Sequence, residues 1–261
     1  EWDTYGVLKR GAPLNEFDDE IASIVAGVPR ITELDDAVRL LSEVFTAAFG
    51  PYGLAPTAFK PSYGIAEATL FIATIAPDAR PTVVHLDPEH LATGRAVRVT
   101  ADARDGVPVV SCGQVARSEW AVVVDPASGA ELPDGEVGEF WLHGKNIGRG
   151  YWGRPEETRR TFGATLASRL GQGSHAEGTP AGATWLRTGD LGFYLDGELY
   201  VTGRMADLIV IDGRQYYPQD IEATAAQASP AVRRGYVAAF TVPRDGRETL
   251  VIVSERAPGT S

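Results

Sequence analysis

The side chains in this sequence that could do chemistry are few, and their spacing first excludes reactions. The four histidines, His85, His90, His143 and His175, include no pair at the i, i+4 spacing with which one helix face holds zinc. They read as scattered surface or capping residues. The single cysteine, Cys112, closes no intrachain disulfide and builds no thiolate cage. Ser111-Cys-Gly113 carries no nucleophile signature, so a small packed turn residue is expected there. There is no Gly-x-Ser-x-Gly elbow and no Gly-x4-Gly-Lys-Ser/Thr loop. Gly148-Arg-Gly-Tyr-Trp-Gly153 has the Gly-x-Gly-x-x-Gly spacing, but that string is a weak signal alone, and glycine beside Tyr-Trp reads as a tight turn. What remains are acidic, arginine and aromatic groups in three blocks: Ser62–Thr69, Trp185–Gly192 and Gly203–Gly213. Each is an ordinary turn when taken alone.

The elements that must position these blocks are partly legible. Thr32-Glu-Leu-Asp35 is a capping-box pattern, and Leu34, Val38, Leu41, Phe45 and Ala48 then lie on one helix face. Gly50-Pro51 stops that helix. Ala66–Ala76 is a buried helix or strand that periodicity does not separate. Thr82–Leu86 and Val97–Thr100 are short β-like runs. Trp120–Val124 and Gly138–His143 alternate, and Asp-Gly pairs stand at 105–106, 134–135, 196–197, 212–213 and 245–246. Asp-Gly between apolar runs signals hairpins. Roughly 115–212 therefore reads as a small antiparallel sheet or barrel, with one helix near Glu156–Leu170 and a mobile loop at Gly171–Gly182. After a strand at Leu208–Ile211, Pro218 opens a helix that runs to Ala228, followed by strands at Tyr236–Val242 and Leu250–Val253.

Composition sets the frame. The chain has 261 residues, 44% hydrophobic and 23% charged, which is ordinary for one large or two small globular domains. A net charge of −11 argues against a nucleic-acid partner. No apolar run is long enough to span a bilayer, so the chain is not expected to be integral to a membrane. One cysteine favours a reducing, cytoplasmic compartment. The chain opens at Glu1, and Ala257–Ser261 reads like an interrupted loop, so a segment of a longer polypeptide is expected.

In their order, the blocks resemble those of the adenylate-forming superfamily of acyl-activating ligases. Tyr63-Gly64-x-Ala66-Glu67 is similar to its Tyr-Gly-x-Thr/Ala-Glu block. Gly138–Gly144 with Gly150-Tyr-Trp152 is similar to its Gly-Glu-x4-Gly…Gly-Tyr block. Thr188-Gly-Asp190 and Gly203-Arg204 are similar to its two ribose-contacting blocks. Lys60–Phe71, Gly148–Gly153 and Gly213–Glu222 look most like the long-chain fatty acyl-AMP ligases of the mycobacterial, mycolic-acid type. The stretch Thr82–Arg104 falls where those ligases carry an insertion absent from CoA ligases, thought to restrain the small domain. The likeness runs from about residue 50 to residue 261.

The resemblance implies a partial adenylate-forming α/β fold. Residues 1–204 would be the end of a large domain, with a β-subdomain at about 115–204, and 205–261 the hinge and start of a small α+β domain. It implies that a fatty acid and ATP become acyl-AMP and pyrophosphate, and that the acyl group passes to an acyl carrier domain of a polyketide synthase in lipid biosynthesis. Tyr63 would lie against adenine, with Gly64 and Ala66 in the same nucleotide-binding block. Glu67 would hold Mg²⁺, and Asp190 and Arg204 would contact the ribose. The family's hinge residue, usually Asp or Lys, is Ala206 here, followed by Asp207. The family's phosphate loop has no match, and its catalytic lysine would lie beyond Ser261. The 261 residues alone are therefore expected to be inactive. Two alternatives stand beside this: a non-catalytic homologue that docks a carrier protein or synthase, and a fatty acyl-CoA ligase. Docking an acidic carrier would need a basic patch, with Arg233-Arg234 the candidate.

Overall fold

The computed structural model describes residues 44, 45, 47, 49–55, 57–103, 106–211, 214–244 and 247–258. The chain divides into two compact units, Glu1–Ala58 and Phe59–Ser261. In the first, the rings of Phe45 and Phe49 stack 5.7 Å apart, and Gly50–Tyr52 makes a single 3-10 turn. The capping box at 32–35 and most of the expected helix face lie outside the described residues. So does at least one residue of each Asp-Gly pair at 105–106, 212–213 and 245–246.

The second unit holds three antiparallel sheets before residue 205. Strands β1 (Ser62–Tyr63), β2 (Ala73–Thr74) and β6 (Gln114–Val115) form one, with β2 central. Strand β3 (Val83–Leu86) stands between β4 (Arg98–Val99) and β5 (Val107–Val110) in another, and the short helix α1 (Pro88–Leu91) follows β3. The third is the expected subdomain sheet. It contains β7 (Glu119–Val124), β8 (Gly138–Gly144), β9 (Leu186–Leu195) and β10 (Glu198–Arg204), in the order β10-β9-β8-β7. Asp196 and Gly197 both take positive φ, 53° and 76°, as a tight hairpin turn between β9 and β10 requires.

This sheet is covered on both faces. Ala121 and Val123 enter one core with Phe140, Leu142 and Leu199. Val122 and Val124 enter another with Trp141, Ala176 and Trp185. A strand whose alternate side chains both meet apolar neighbours needs no polar positions, which accounts for the unbroken Val122–Val124 run. A third core forms where Phe193 and Tyr200, stacked 5.0 Å apart, meet Val84, Leu86 and Val109 of the β3–β5 sheet.

Three local expectations are corrected. Ala66–Ala76 is neither a helix nor a long strand but a 3-10 turn, Ala66–Ala68, followed by β2. The helix near 156–170 is only α2 (Pro155–Phe162), because the chain turns at Gly163 and runs extended, with Ala164 bridged to Trp185 and Ser168 to Ala130. The loop at 171–182 is pinned at its centre. Buried Glu131 accepts hydrogen bonds from Leu170 N, Ser174 Oγ and His175 N, and the His175 ring stacks 3.7 Å from Tyr194.

After the 3-10 turn Met205–Asp207 come β11 (Ile209–Ile211), β12 (Arg214–Tyr216), helix α3 (Pro218–Ala228), β13 (Val232–Arg244) and β14 (Arg247–Arg256). Helix α3 packs on the β13–β14 hairpin, where Ala239 N donates to Glu222 Oε1 at 2.9 Å. Tyr217, just before α3, is buried in the third core, and its hydroxyl donates to Thr202 Oγ1 at 2.9 Å. Gln215 N donates to Ala92 O at 3.2 Å.

Candidate functional site

The first block is a doubled-back turn. A Cβ on Gly64 would stand 1.7 Å from Leu70 O, so only glycine lets the two limbs approach. Ile72 N donates to Tyr63 O and Leu70 N to Ile65 O, closing the turn. Thr69 and Leu70 are held at positive φ, 52° and 79°. Asn146 clips this strained pair: its Nδ2 donates to Ala68 O and Phe71 O, and its backbone carbonyl accepts from Thr69 Oγ1 at 2.7 Å. Such side-chain bonds are what a non-glycine left-handed conformation needs in order to persist.

Glu67 lies in the middle of the turn. Its carbonyl accepts from Gly148 N at 2.7 Å, and its Oε1 accepts from Tyr151 Oη at 2.7 Å. Tyr151 is itself oriented by α2. Its N–H donates to Thr158 Oγ1 at 2.9 Å, and its ring meets Phe162 edge-on at 5.2 Å. Burial, then the Glu67 bond and charge, push the Tyr151 phenol up to about 12.

Asp190 and Arg204 are brought together by two irregularities in the main sheet. Between the β8–β9 pairs Glu139↔Leu191 and Trp141↔Arg187, three residues, Thr188, Gly189 and Asp190, stand against the single residue Phe140. On the other side, Thr202 is an extra residue in β10, and the register shift places Arg204 opposite Asp190. Without that bulge Gly203 would occupy the position, so the bulge re-aims the strand. Tyr63 Oη donates to Asp190 Oδ2 at 2.6 Å, and Arg204 Nε lies 3.1 Å from Oδ1. Asp190 is buried, whereas the Arg204 side chain is exposed. Burial, with the Asp190 bond and charge behind it, raises the Tyr63 phenol far above the usual tyrosine range.

The expected residues thus fall into two linked groups. Tyr63, Asp190 and Arg204 touch one another; Gly64, Ala66 and Glu67 share the turn that begins at Tyr63. The Tyr63 ring packs 5.8 Å from Phe140 and is only 8% exposed, so most of its surface is already covered. Ala206 and Asp207 occupy the 3-10 turn immediately after Arg204. Cys112 is half-buried against the first core, as expected of a packed turn residue. Arg233 is already engaged, with Nη1 2.7 Å from Glu255 Oε1 and its guanidinium 3.5 Å over the Tyr236 ring. Sequence reading assigned no role to Tyr151 or Asn146. The signal for Tyr151 was its place in the Gly150-Tyr-Trp152 part of the family-like block; Asn146 carried none.

No cluster of three or more His, Cys, Asp or Glu able to hold a metal occurs among the described residues. One free oxygen on Glu67 nevertheless fits Mg²⁺, which takes one or two protein carboxylates and completes its shell with phosphate and water.

The AMP-binding enzyme family pattern matches residues 41–152. The chain is 48% identical over 272 aligned positions to the long-chain-fatty-acid–AMP ligase FadD32 of Mycobacterium marinum, covering 96% of this chain and 43% of that protein. To FadD32 of Mycolicibacterium smegmatis it is 51% identical, over 97% of this chain and 42% of the relative. Over residues 41–152 the chain is thus similar to the AMP-binding enzymes. It spans less than half the length of those two relatives. A protein of Mycobacterium tuberculosis named for fatty-acid–CoA ligation, fadD25, is 44% identical over 81% of the chain and 34% of its own length. A solved fatty acyl-adenylate ligase structure, from work on the Escherichia coli and Legionella pneumophila enzymes, superposes with TM-score 0.65 at 29% identity. The match covers 84% of this chain and 36% of that one. The partial adenylate-forming fold is therefore present in this chain. No helix among its described residues is long and apolar enough to cross a membrane.

Proposed function

We propose that this chain is the middle part of a long-chain fatty acyl-AMP ligase and supplies the ribose and cation side of its nucleotide site. The observation that carries the reading is the Asp190 carboxylate, buried and held by one donor on each oxygen. Each carboxylate oxygen has two acceptor positions, so one remains on Oδ1 and one on Oδ2. Two acceptors side by side on a rigid strand match the two hydroxyls of a ribose. Arg204, largely exposed, is placed to add donors there.

In the proposed reaction a fatty-acid carboxylate oxygen attacks the α-phosphorus of ATP. The new O–P bond forms as the bond to the β-phosphate breaks, and pyrophosphate leaves. Mg²⁺, held in part by Glu67, would neutralise phosphate charge. The residues of this chain orient the nucleoside: Asp190 and Arg204 fix the ribose, and Tyr63 holds Asp190 in place. Gly64 and Ala66 keep the backbone of that turn within reach of the nucleotide. Nothing in the 261 residues matches the family's phosphate loop or its lysine, so the isolated chain is inferred to be inactive. Residues 205–261 are read as the start of the small domain, with Ala206-Asp207 as hinge. The acyl group then passes to an acyl carrier domain of a polyketide synthase.

The test is fatty-acid-dependent ATP–pyrophosphate exchange by the full-length polypeptide that carries this chain. Asp190→Asn should lower kcat/KM for ATP by about 100-fold, because two hydrogen bonds to a charged group are weakened. Unchanged exchange would remove Asp190 from the site. Robust exchange by the 261-residue chain alone would overturn the inferred inactivity. A second reading, transfer to free CoA, draws support from the similarity to fadD25. Acyl-CoA formation by the full-length polypeptide would favour it.

A further inference from the structure

We propose that Glu139 is a positioning residue for Asp190, fixing the bulge that carries the ribose-binding carboxylate. The inference rests on the reading above only in taking Asp190 as the group that accepts the ribose hydroxyls. Glu139 lies on β8 and is 1% exposed. A carboxylate at a sheet-core position costs several kcal/mol of desolvation that an apolar side chain would not, so its presence calls for a reason.

Its bonds supply one. Oε2 is saturated from one side, by Trp141 Nε1 at 2.8 Å and by Arg187 Nε and Nη2 at 3.1 and 2.8 Å. That anchorage turns Oε1 toward the bulge, where it accepts from Gly189 N at 3.1 Å. Thr188 and Gly189 have no partner in the register of either flanking strand, and Gly189 sits at φ +73°. The backbone just ahead of Asp190 is thus held by side chains in place of the ladder. Thr188 Oγ1 donates to Phe140 O at 2.8 Å and accepts from Asp190 N at 3.0 Å, while Glu139 takes the middle amide. A looped-out segment with one fewer tether would let the carboxylate wander, and orientation is what a diol acceptor must supply.

The experiment measures Kd for AMP and for 2′-deoxy-AMP by calorimetry on the full-length polypeptide, together with thermal midpoints. Wild type should prefer AMP. Glu139→Gln should reduce that preference by about tenfold, the scale of one hydrogen bond to a charged group, with the loss falling mainly on AMP. Trp141→Phe removes a bond to the same carboxylate without touching the bulge. It should lower the thermal midpoint and leave the preference intact. If Glu139→Gln does not fold, Arg187→Lys, which keeps a cation but breaks the fork, should reduce the preference by about threefold. Equal weakening of both nucleotides in Glu139→Gln, or an unchanged preference in Arg187→Lys, would overturn the positioning role. A wild type that binds both nucleotides equally would instead remove the ribose role of Asp190, and the proposal with it.

Discussion

Tyr63 reaches Asp190 across 127 residues of sequence, and the contact is the shortest hydrogen bond described at the site. Tyr63→Phe should destabilise the fold by about 2 kcal/mol, because a buried carboxylate loses a donor, and urea denaturation would measure it. The same phenol makes stability depend on pH. Its ionisation is shifted upward in the folded state, as is that of Tyr194, which burial raises. A group raised on folding stabilises below its unfolded pKa, about 10 for tyrosine, and withdraws that stability as pH climbs past it. The tyrosine contribution to unfolding free energy should therefore be lost above about pH 10, with a shallower fall in Tyr63→Phe. At this scale the residue types were legible. Tyr63, Glu67, Asp190 and Arg204 lie in turns that are ordinary when taken alone, and they stand out only through the order of the blocks and the family likeness. Their partners were not legible. Nothing in a one-dimensional pattern says that Tyr151 will bond Glu67, because that contact depends on where α2 holds the Tyr151 ring.

Among the elements, the turn around Glu67 depends most on single residues. Gly64→Ala would drive a methyl into Leu70 O, so the limbs must separate, which strains the adjacent Tyr63–Asp190 bond. A loss of about 3 kcal/mol or more is expected, with nucleotide affinity falling in parallel. Asn146→Ala leaves Ala68 O and Phe71 O without their side-chain donor. It should cost about 2 kcal/mol and speed hydrogen exchange at Leu70–Ile72 before the main sheet is affected. Strands of the main sheet and helix α3 were readable from short apolar runs, Asp-Gly turns and the N-terminal proline, although the strands lack the alternation expected of a one-sided sheet. The two register shifts were not, because an extra residue in a strand leaves the apolar pattern nearly unchanged. Helix α2 read too long because Ala164–Leu170 contains helix-favouring residues, whereas sheet contacts at Ala164 and Ser168 hold that stretch extended.

At the level of the whole molecule, the segment after residue 204 meets the rest of its unit through Tyr217. Tyr217→Ala should remove about 3 kcal/mol of packing and lose the bond to Thr202. Limited proteolysis should then cut faster at Met205–Leu208 while the main sheet stays protected. The division proposed at 204/205 rests on the family likeness alone. Composition does not change there, and the same core takes residues from both sides of it. Of the four tryptophans described, Trp141 and Trp185 are buried and Trp120 is half-buried, whereas Trp152 is fully exposed beside the tyrosine that holds Glu67. That arrangement makes the protein report on itself optically. The enclosed indoles emit at short wavelength and resist acrylamide, while Trp152 emits red-shifted light that acrylamide or iodide extinguishes. Difference spectra between the chain and its Trp152→Phe variant would isolate one lamp at the rim of the site, and it should brighten or shift when a nucleotide draws the Glu67 carboxylate away from Tyr151.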